Sequence, residues 1–220
     1  MKILALEFSS PQRSVTVLQA ALGATPSLAE VVETGGPSTQ SLGMIEQVLR
    51  EAQIEREQID LVAVGLGPGS YTGIRAALAL AQGWQLARPV NTVGISSAET
   101  IAAQARADGL RGPVAVVIDA QRGEFYLARY ELDKTGRHDL APLHLATHAE
   151  VDACQNHGDF LVGPEVDKWF SRSRIVFPRA AILAQLASSR SDYIPAEKLE
   201  PLYLRETKFI KAPPPRILPE

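Results

Sequence analysis

Residues 67–73 read Gly-Pro-Gly-Ser-Tyr-Thr-Gly, three glycines and two small hydroxyls between an apolar run and a helical pattern. Glycine lets the backbone take positive φ and come close to a ligand or to another stretch of chain. The N–H groups at the start of a following helix favour an anion. The segment therefore suits a phosphate or carboxylate cradle, and it equally suits a tight strand-to-helix turn. It closes on Arg75 rather than on Gly-Lys-Ser/Thr, so it is not a Walker loop. Its glycines also lack the spacing of a dinucleotide fingerprint. Ser9, Ser10 and Ser70 are possible nucleophiles, but no His or Lys base is placed beside them by sequence, and no GxSxG elbow occurs. Asp119 ends an apolar run and opens a polar turn, where an aspartate commonly bonds its own backbone. His144 and His148 have the spacing of a helical metal pair. Pro142 before them and a capping Thr147 between them place one on a strand end and the other on a helix start. They then share no face, and no metal site is assigned.

These residues need elements to carry them. Lys2–Phe8 and Ser14–Leu18 read as a paired hairpin around a turn at Pro11 and Gln12, with a third strand over Leu28–Glu33. After Gly35-Gly36-Pro37, Ser38 or Thr39 caps a helix whose Leu42, Ile45, Val48, Leu49 and Ala52 recur at helical spacing. Asp60–Leu66 is apolar almost throughout, the pattern of a strand buried on both faces. The glycine loop leads from it into a helix expected over about Ile74–Arg88. Val90–Gly94 is a further strand, and Ser96 or Ser97 caps a helix through Ala107. Beyond Gly112-Pro113 the plan restarts, with a buried strand over Val114–Ile118, a turn over Ala120–Gly123 and an alternating strand over Glu124–Tyr130. Shorter strands are predicted at Leu140–Leu145, Phe160–Val162 and Ile175–Phe177, and a helix at Arg179–Ser188. The expected division is residues 1–108, a second and smaller unit over 109–208, and a Pro-rich tail over 209–220 with the composition of an extended or disordered segment.

The helix after the glycine loop is unusual in having only Arg75, Gln82, Gln85 and Arg88 as long polar positions. Ile74, Ala77, Leu78 and Ala81 form one apolar face. Ala76, Ala79, Gly83 and Ala87, flanked by Leu80 and Trp84, form another. A helix apolar nearly all round must be buried on more than one side. The small-residue stripe admits a second helix, either the one carrying Leu42–Ala52 or one from a partner chain.

The 220 residues are 45% hydrophobic with a net charge of −3, an ordinary globular composition and a poor one for holding RNA unaided. Arg122, Arg172 and Arg174 read as solvated. The single cysteine, Cys154, excludes an intramolecular disulfide and a Cys-based zinc cluster. No stretch approaches the roughly 18–20 apolar residues of a membrane span, and MKILALEFSS does not read as a signal peptide, so a cytoplasmic location is expected.

Several segments together resemble one family. Lys2–Ser10 (KILALEFSS), Gly65–Arg75 (GLGPGSYTGIR), Val93–Glu99 (VGISSAE), Ile118–Tyr126 (IDAQRGEFY), Gly163-Pro164 and Pro201–Arg205 (PLYLR) are similar, in order and across nearly the whole chain, to the TsaB family, also called YeaZ. The resemblance implies an ASKHA-type α/β fold, as in actin, Hsp70 and sugar kinases: two similar domains, each a mixed sheet with flanking helices, about a cleft. It implies a non-catalytic subunit for threonylcarbamoyladenosine formation on tRNA, paired with a TsaD-like transferase through first-domain helices and assembled with a TsaE-like ATPase. tRNA would be met only indirectly, and a homodimer would form in isolation. The implied partner face is Leu42, Ile45, Val48 and Leu49 on one helix and Ala76, Ala79, Leu80, Gly83, Trp84 and Ala87 on the other. A free-standing ASKHA ATPase or kinase is the alternative. Its ATP and magnesium would be met by Glu7, Ser9, Ser10, Gly67, Gly69, Ser70, Thr72 and Asp119. Family members usually carry Asp where this chain has Glu7, and a His-Ser-Glu run near residues 37–40.

Overall fold

The computed structural model describes residues 1–20, 25–35 and 40–204. The proposed helix caps Ser38 and Thr39, Arg205 and the Pro-rich tail lie outside them. Two five-stranded sheets share one topology. In the first, β1 (Lys2–Glu7) pairs antiparallel with β2 (Gln12–Gln19), which pairs antiparallel with β3 (Ser27–Thr34). On its other side β1 runs parallel to β4 (Leu61–Gly65), which runs parallel to β5 (Asn91–Ile95). The second repeats this step for step. β6 (Gly112–Asp119) pairs antiparallel with β7 (Glu124–Leu132), and β7 with β8 (Arg137–Thr147). β6 then runs parallel to β9 (Phe160–Gly163), and β9 to β10 (Ser173–Ile175). This is the ASKHA-type duplicated plan, and it follows the restart legible at Gly112-Pro113.

The central strands are buried on both faces. Ile3 and Ala5 point to one side of the first sheet, and Leu4 and Leu6 to the other. Helices α1 (Ser41–Ala52) and α2 (Tyr71–Ala87) cover the Leu4 side. The opposite side is covered by α5 (Ala180–Ser188), whose Ala180, Leu183, Ala184 and Ala187 pack on Ile3, Ala5, Leu61 and Val93. Glu30 on β3 accepts hydrogen bonds from the Arg179 guanidinium and from Ala181 N, which fixes the start of α5 against that sheet. The mirror arrangement holds for α3 (Ser97–Ala107), which follows the first sheet in sequence. Its Ala98, Ile101, Ala102 and Ala105 pack on Val114, Val116 and Ala128 of the second sheet. Each half thus contributes its last helix to the core of the other. The remaining helix, α4 (His148–Asn156), packs on the outer face of the second sheet through Val151.

Helix α2 starts at Tyr71, earlier than the expected Ile74, because Ser70 caps it by accepting from Gly73 N. The strand predicted at Ile175–Phe177 is instead Ser173–Ile175. The last described segment doubles back along α2. Gln85 and Gln82 bind the backbone of Ala196, and Leu202 N donates to Leu66 O.

Such an exchange of helices predicts that the halves unfold together. The chain's tryptophans, Trp84 and Trp169, report one from each half, so Trp84→Phe and Trp169→Phe variants should give coincident urea transitions. Leu183→Ala, which empties a fully buried site, should shift both by about 2–5 kcal/mol. A transition seen by Trp169 alone and unaffected by Leu183→Ala would contradict the interlock.

Candidate functional site

Glu7 ends β1 and its side chain is wholly buried. Its Oε1 accepts from Ser9 N at 2.9 Å and its Oε2 from Ser97 Oγ at 3.0 Å. Ser97 Oγ in turn accepts from Gly67 N at 3.2 Å, while Ser97 N donates to Gly67 O at 2.7 Å. One carboxyl group therefore joins the end of β1, the glycine loop and the start of α3. Burial raises its pKa above the ordinary carboxylate range, against the opposing bonds from Ser9 and Ser97. Gly65 is matched to it, since a Cβ there would overlap the Glu7 carboxylate. The expectation that Glu7 meets nucleotide or metal is corrected: its carboxylate is spent on the chain's own backbone and on Ser97, and it does not line the cleft. Gly67 is likewise absent from the cleft wall and is held against Ser97.

The cleft lies between the two sheets and holds about 610 Å³. Ser9, Ser10, Gly69, Ser70 and Thr72 line it from the first half, and Asp119 from the second, so six of the eight expected ligand contacts are brought together. The wall also includes residues the sequence reading did not select: Tyr71, Gln121, Arg122, Tyr126, Glu165 and Tyr203. Among the described residues its lining side chains carry two carboxylates, Asp119 and Glu165, and one guanidinium, Arg122. Glu165 is paired with Lys168. A polyphosphate gains no net attraction from such a wall. The donors of the glycine loop are partly taken as well, with Ser70 N bound to Ser9 O at 2.7 Å and Gly73 N to Ser70 Oγ. Cβ atoms at Gly69 and Gly73 would overlap the carbonyl oxygens of Ser9 and Phe8. The glycines are thus demanded by close chain packing, the turn reading of the loop. Asp119 Oδ1 accepts from Gln121 N at 2.6 Å, the self-bonded turn expected of it, and Gln121 and Arg122 take positive φ there.

His144 and His148 fall as the cap predicted, on the end of β8 and the start of α4. Thr147 forms a capping box with Glu150 between them. His148 Nδ1 lies 3.0 Å from Asp152 Oδ2, and no group of three metal-ligating side chains occurs among the described residues.

The second feature is a groove of about 750 Å³ between α1 and α2, walled by Leu42, Ile45, Ala79, Leu80, Gly83, Trp84 and Ala87. The predicted inner face of α2, Ile74, Ala77, Leu78 and Ala81, is buried on the sheet. Its small-residue face is open: Leu86 is 88% exposed and a Cβ at Gly83 would meet nothing within 4 Å, while Leu42 of α1, across the groove, is 65% exposed. Three expected interface residues are corrected. Val48 and Leu49 are buried in the core on the sheet-facing side of α1, and Ile45, although it lines the groove, is 3% exposed and packs in the same core. Ala76 is half-buried, packs against the core and is not part of the groove wall. Leu86 was missed, although it stands seven residues from Ala79 on the same side. Trp84 Nε1, in the groove wall, is out of water with no acceptor among the described residues.

A family model described as TsaD, tRNA N6-adenosine threonylcarbamoyltransferase, matches residues 24–194. The chain is similar to the tRNA threonylcarbamoyladenosine biosynthesis protein TsaB of Escherichia coli. Identity there is 35% over 95 residues, spanning 43% of this chain and only 41% of that protein. The same-named protein of Haemophilus influenzae is 27% identical over 192 residues, spanning 78% of this chain and 81% of that one. YeaZ from Pseudomonas aeruginosa superposes with a TM-score of 0.79 at 25% identity, covering 92% of this chain and 99% of that one. The chain belongs to the TsaB (YeaZ) family.

The sign of the Glu7 effect on stability is set by its raised pKa. The contribution is complete below the ordinary carboxylate range and is lost as pH rises through the folded-state value, where a charge must be buried. Glu7→Gln removes that ionisation. Its urea midpoint should therefore gain on the native chain's as pH goes from 4 to 8. Gly65→Ala should cost about 1–3 kcal/mol throughout. A midpoint difference between Glu7→Gln and the native chain that does not change with pH would refute the raised pKa of this buried carboxyl.

Proposed function

We propose that this chain is a non-catalytic adaptor in tRNA threonylcarbamoyladenosine biosynthesis, docking through the α1–α2 groove onto a TsaD-like catalytic subunit. The carrying observation is the open stripe of α2. Ala79, Gly83 and Ala87 leave a shallow track with Leu86 and Leu42 standing proud of it. Small residues at these positions let a second helix approach closely, and exposed Leu side chains beside them supply apolar area to bury. A docked chain that brought an acceptor to Trp84 Nε1 would also relieve a buried donor. Glu46, Arg56, Glu57 and Arg88 rim the groove and suit a polar border around such a contact.

Support for the non-catalytic part comes from the cleft. Among the described residues no histidine or lysine lines it, Ser10 Oγ donates to Gln12 O, and Ser70 Oγ is engaged as a helix cap. No nucleophile–base pair is assembled there. In this reading the TsaE-like ATPase joins the assembly, tRNA is met through the partner, and the location is the cytoplasm. The same groove pairs two copies of the chain when the partner is missing.

Gly83 separates folding from assembly. Gly83→Ala should raise stability by about 0.5–1 kcal/mol, since glycine is a poor helix former and the added methyl meets nothing. Gly83→Leu should also fold, yet bind a TsaD-like subunit at least ~10-fold more weakly by calorimetry, about 1.4 kcal/mol. Undiminished binding by a folded Gly83→Leu chain would place the partner elsewhere. Tight binding of ATP and magnesium by the isolated native chain would favour a free-standing ATPase.

A further inference from the structure

Strands β6, β9 and β10 are parallel, so their starts lie at one end of the second sheet, where β7 turns into β8 and α3 hands over to β6. Cations gather there. The Arg106 guanidinium, in the last turn of α3, donates to the carbonyl oxygens of Asp133 and Lys134 at 2.9 Å each, which seats the β7–β8 turn against the helix end. Arg111 Nη1 donates to Arg106 O at 2.7 Å. Arg174 of β10 reaches Asp108, just past the helix, at 3.6 Å. Arg172, which the sequence reading took with Arg174 as merely solvated, precedes β10 at the same end.

Two acids stand among these five cations, in a chain whose net charge is −3. Asp108 is met by Arg174 and by Gln104. The Asp133 carboxylate is taken up by its own turn, accepting from Thr135 N and Gly136 N at 2.7 Å each, with His138 3.2 Å from its other oxygen. The neighbouring Arg129–Asp159 pair balances itself. Lys134 and Arg172 are exposed, and neither has an acid partner among the described residues.

The negative end of α3 accounts for Arg111, which binds its carbonyl oxygens. It does not account for Phe160. This ring opens β9 opposite Val114 of β6 and is 48% exposed. Val162 is in register with Arg174, and Phe160 stands two residues back along β9, so ring and guanidinium share a face of the sheet. Val114 and Val162 on that face are sealed in the core with α3, yet Phe160 is left open. Cations alone would suit any polyanion. An open aromatic ring among them suits a nucleic-acid strand with unpaired bases, because a base can stack on the ring while the cations meet the phosphates on either side.

We infer that this rim of the second half contacts an unpaired stretch of RNA, Phe160 stacking a base and Lys134, Arg172 and Arg174 meeting the adjoining phosphates. The inference goes beyond the adaptor reading and rests on it for the identity of the RNA: the partner recruits the tRNA, and this rim gives it a second, weaker hold. The rim lies on the opposite half of the chain from the α1–α2 groove, so the two surfaces can be tested separately.

The full chain is titrated alone with a labelled single-stranded RNA of about ten nucleotides, and with the duplex of the same sequence, from about 50 to 200 mM salt, by fluorescence anisotropy. The single strand should bind saturably at the lowest salt, and the duplex at least ~5-fold more weakly. Phe160→Ala should weaken single-strand binding at least ~5-fold with the salt slope unchanged, since stacking releases no counterion. The double variant Lys134→Ala/Arg172→Ala should lower that slope by about 0.7 for each cation removed. All these positions are exposed, so circular dichroism should match the native chain. Calorimetry with a TsaD-like subunit should show unchanged assembly for every variant. No saturable binding of the single strand, equal affinity for the duplex, or an unchanged salt slope in the double variant would each overturn the inference. So would a loss of assembly in the double variant, which would mean that the rim meets an acidic protein face. Failure of the native chain to assemble would instead sink the adaptor reading and leave the RNA titration to decide the rim.

Discussion

Everything at the centre of this molecule is referred to one buried carboxyl group. Glu7 stands at the end of β1 with no solvent exposure, its Oε1 met by Ser9 N just beyond the strand and its Oε2 by Ser97 Oγ from the start of α3. Burying an acid costs free energy unless its lone pairs are met and its charge is avoided or balanced. Both conditions shape the surroundings. Ser9 N and Ser97 Oγ supply the bonds, burial pushes the carboxyl's pKa up, and the bare Cα of Gly65 leaves the room that the glutamate side chain requires. The group that the sequence presents as a ligand contact is in fact the pin through β1, the glycine loop and α3.

From that pin the two working surfaces take their positions. The glycine loop passes over Phe8 and Ser9 so closely that Gly69 and Gly73 must lack side chains, and it releases α2 at Tyr71 under the Ser70 cap. One face of α2 completes the core on β1 and β4, and its opposite face stays bare. The first turn of the same helix forms a wall of the cleft. Helix α3, pinned at Ser97, leaves for the second sheet, and α5 returns to the first, so the cleft walls are held apart by cores that each half completes for the other.

Much of this was legible before any coordinates. Buried strands announce themselves as continuous apolar runs, and the two faces of α2 follow from its helical period alone. The destination of α5 was not legible, because Ala180, Leu183, Ala184 and Ala187 suit any apolar sheet and nothing local distinguishes the near one from the far one. Val48 and Leu49 share a helical stripe with Leu42 and Ile45, and a stripe does not say where the sheet ends and the open groove begins. Glu7 was misread for a further reason. An acid after an apolar strand has the same local signature whether it faces a ligand or the interior. The residues that decide the matter, Gly65 and Ser97, lie far along the chain and mean nothing until the fold brings them together.

The duplication supplies an internal comparison that sharpens the division of labour. β6 corresponds to β1, so Asp119 occupies in the second half the place Glu7 holds in the first. Both are acids at the end of a central strand, yet one is sealed beneath Gly65 and the other bonds its own turn at the wall of the cleft. Between β9 and β10, where the first half has the seventeen residues of α2, the second has only the single turn Val166–Lys168. The half with the single turn there has its acid in the cleft wall. The half with the long helix has its acid turned inward, where it holds the helix's loop in place. The shared plan thus serves two ends: the first half presents a helical face outward, and the second presents a carboxylate to the cleft.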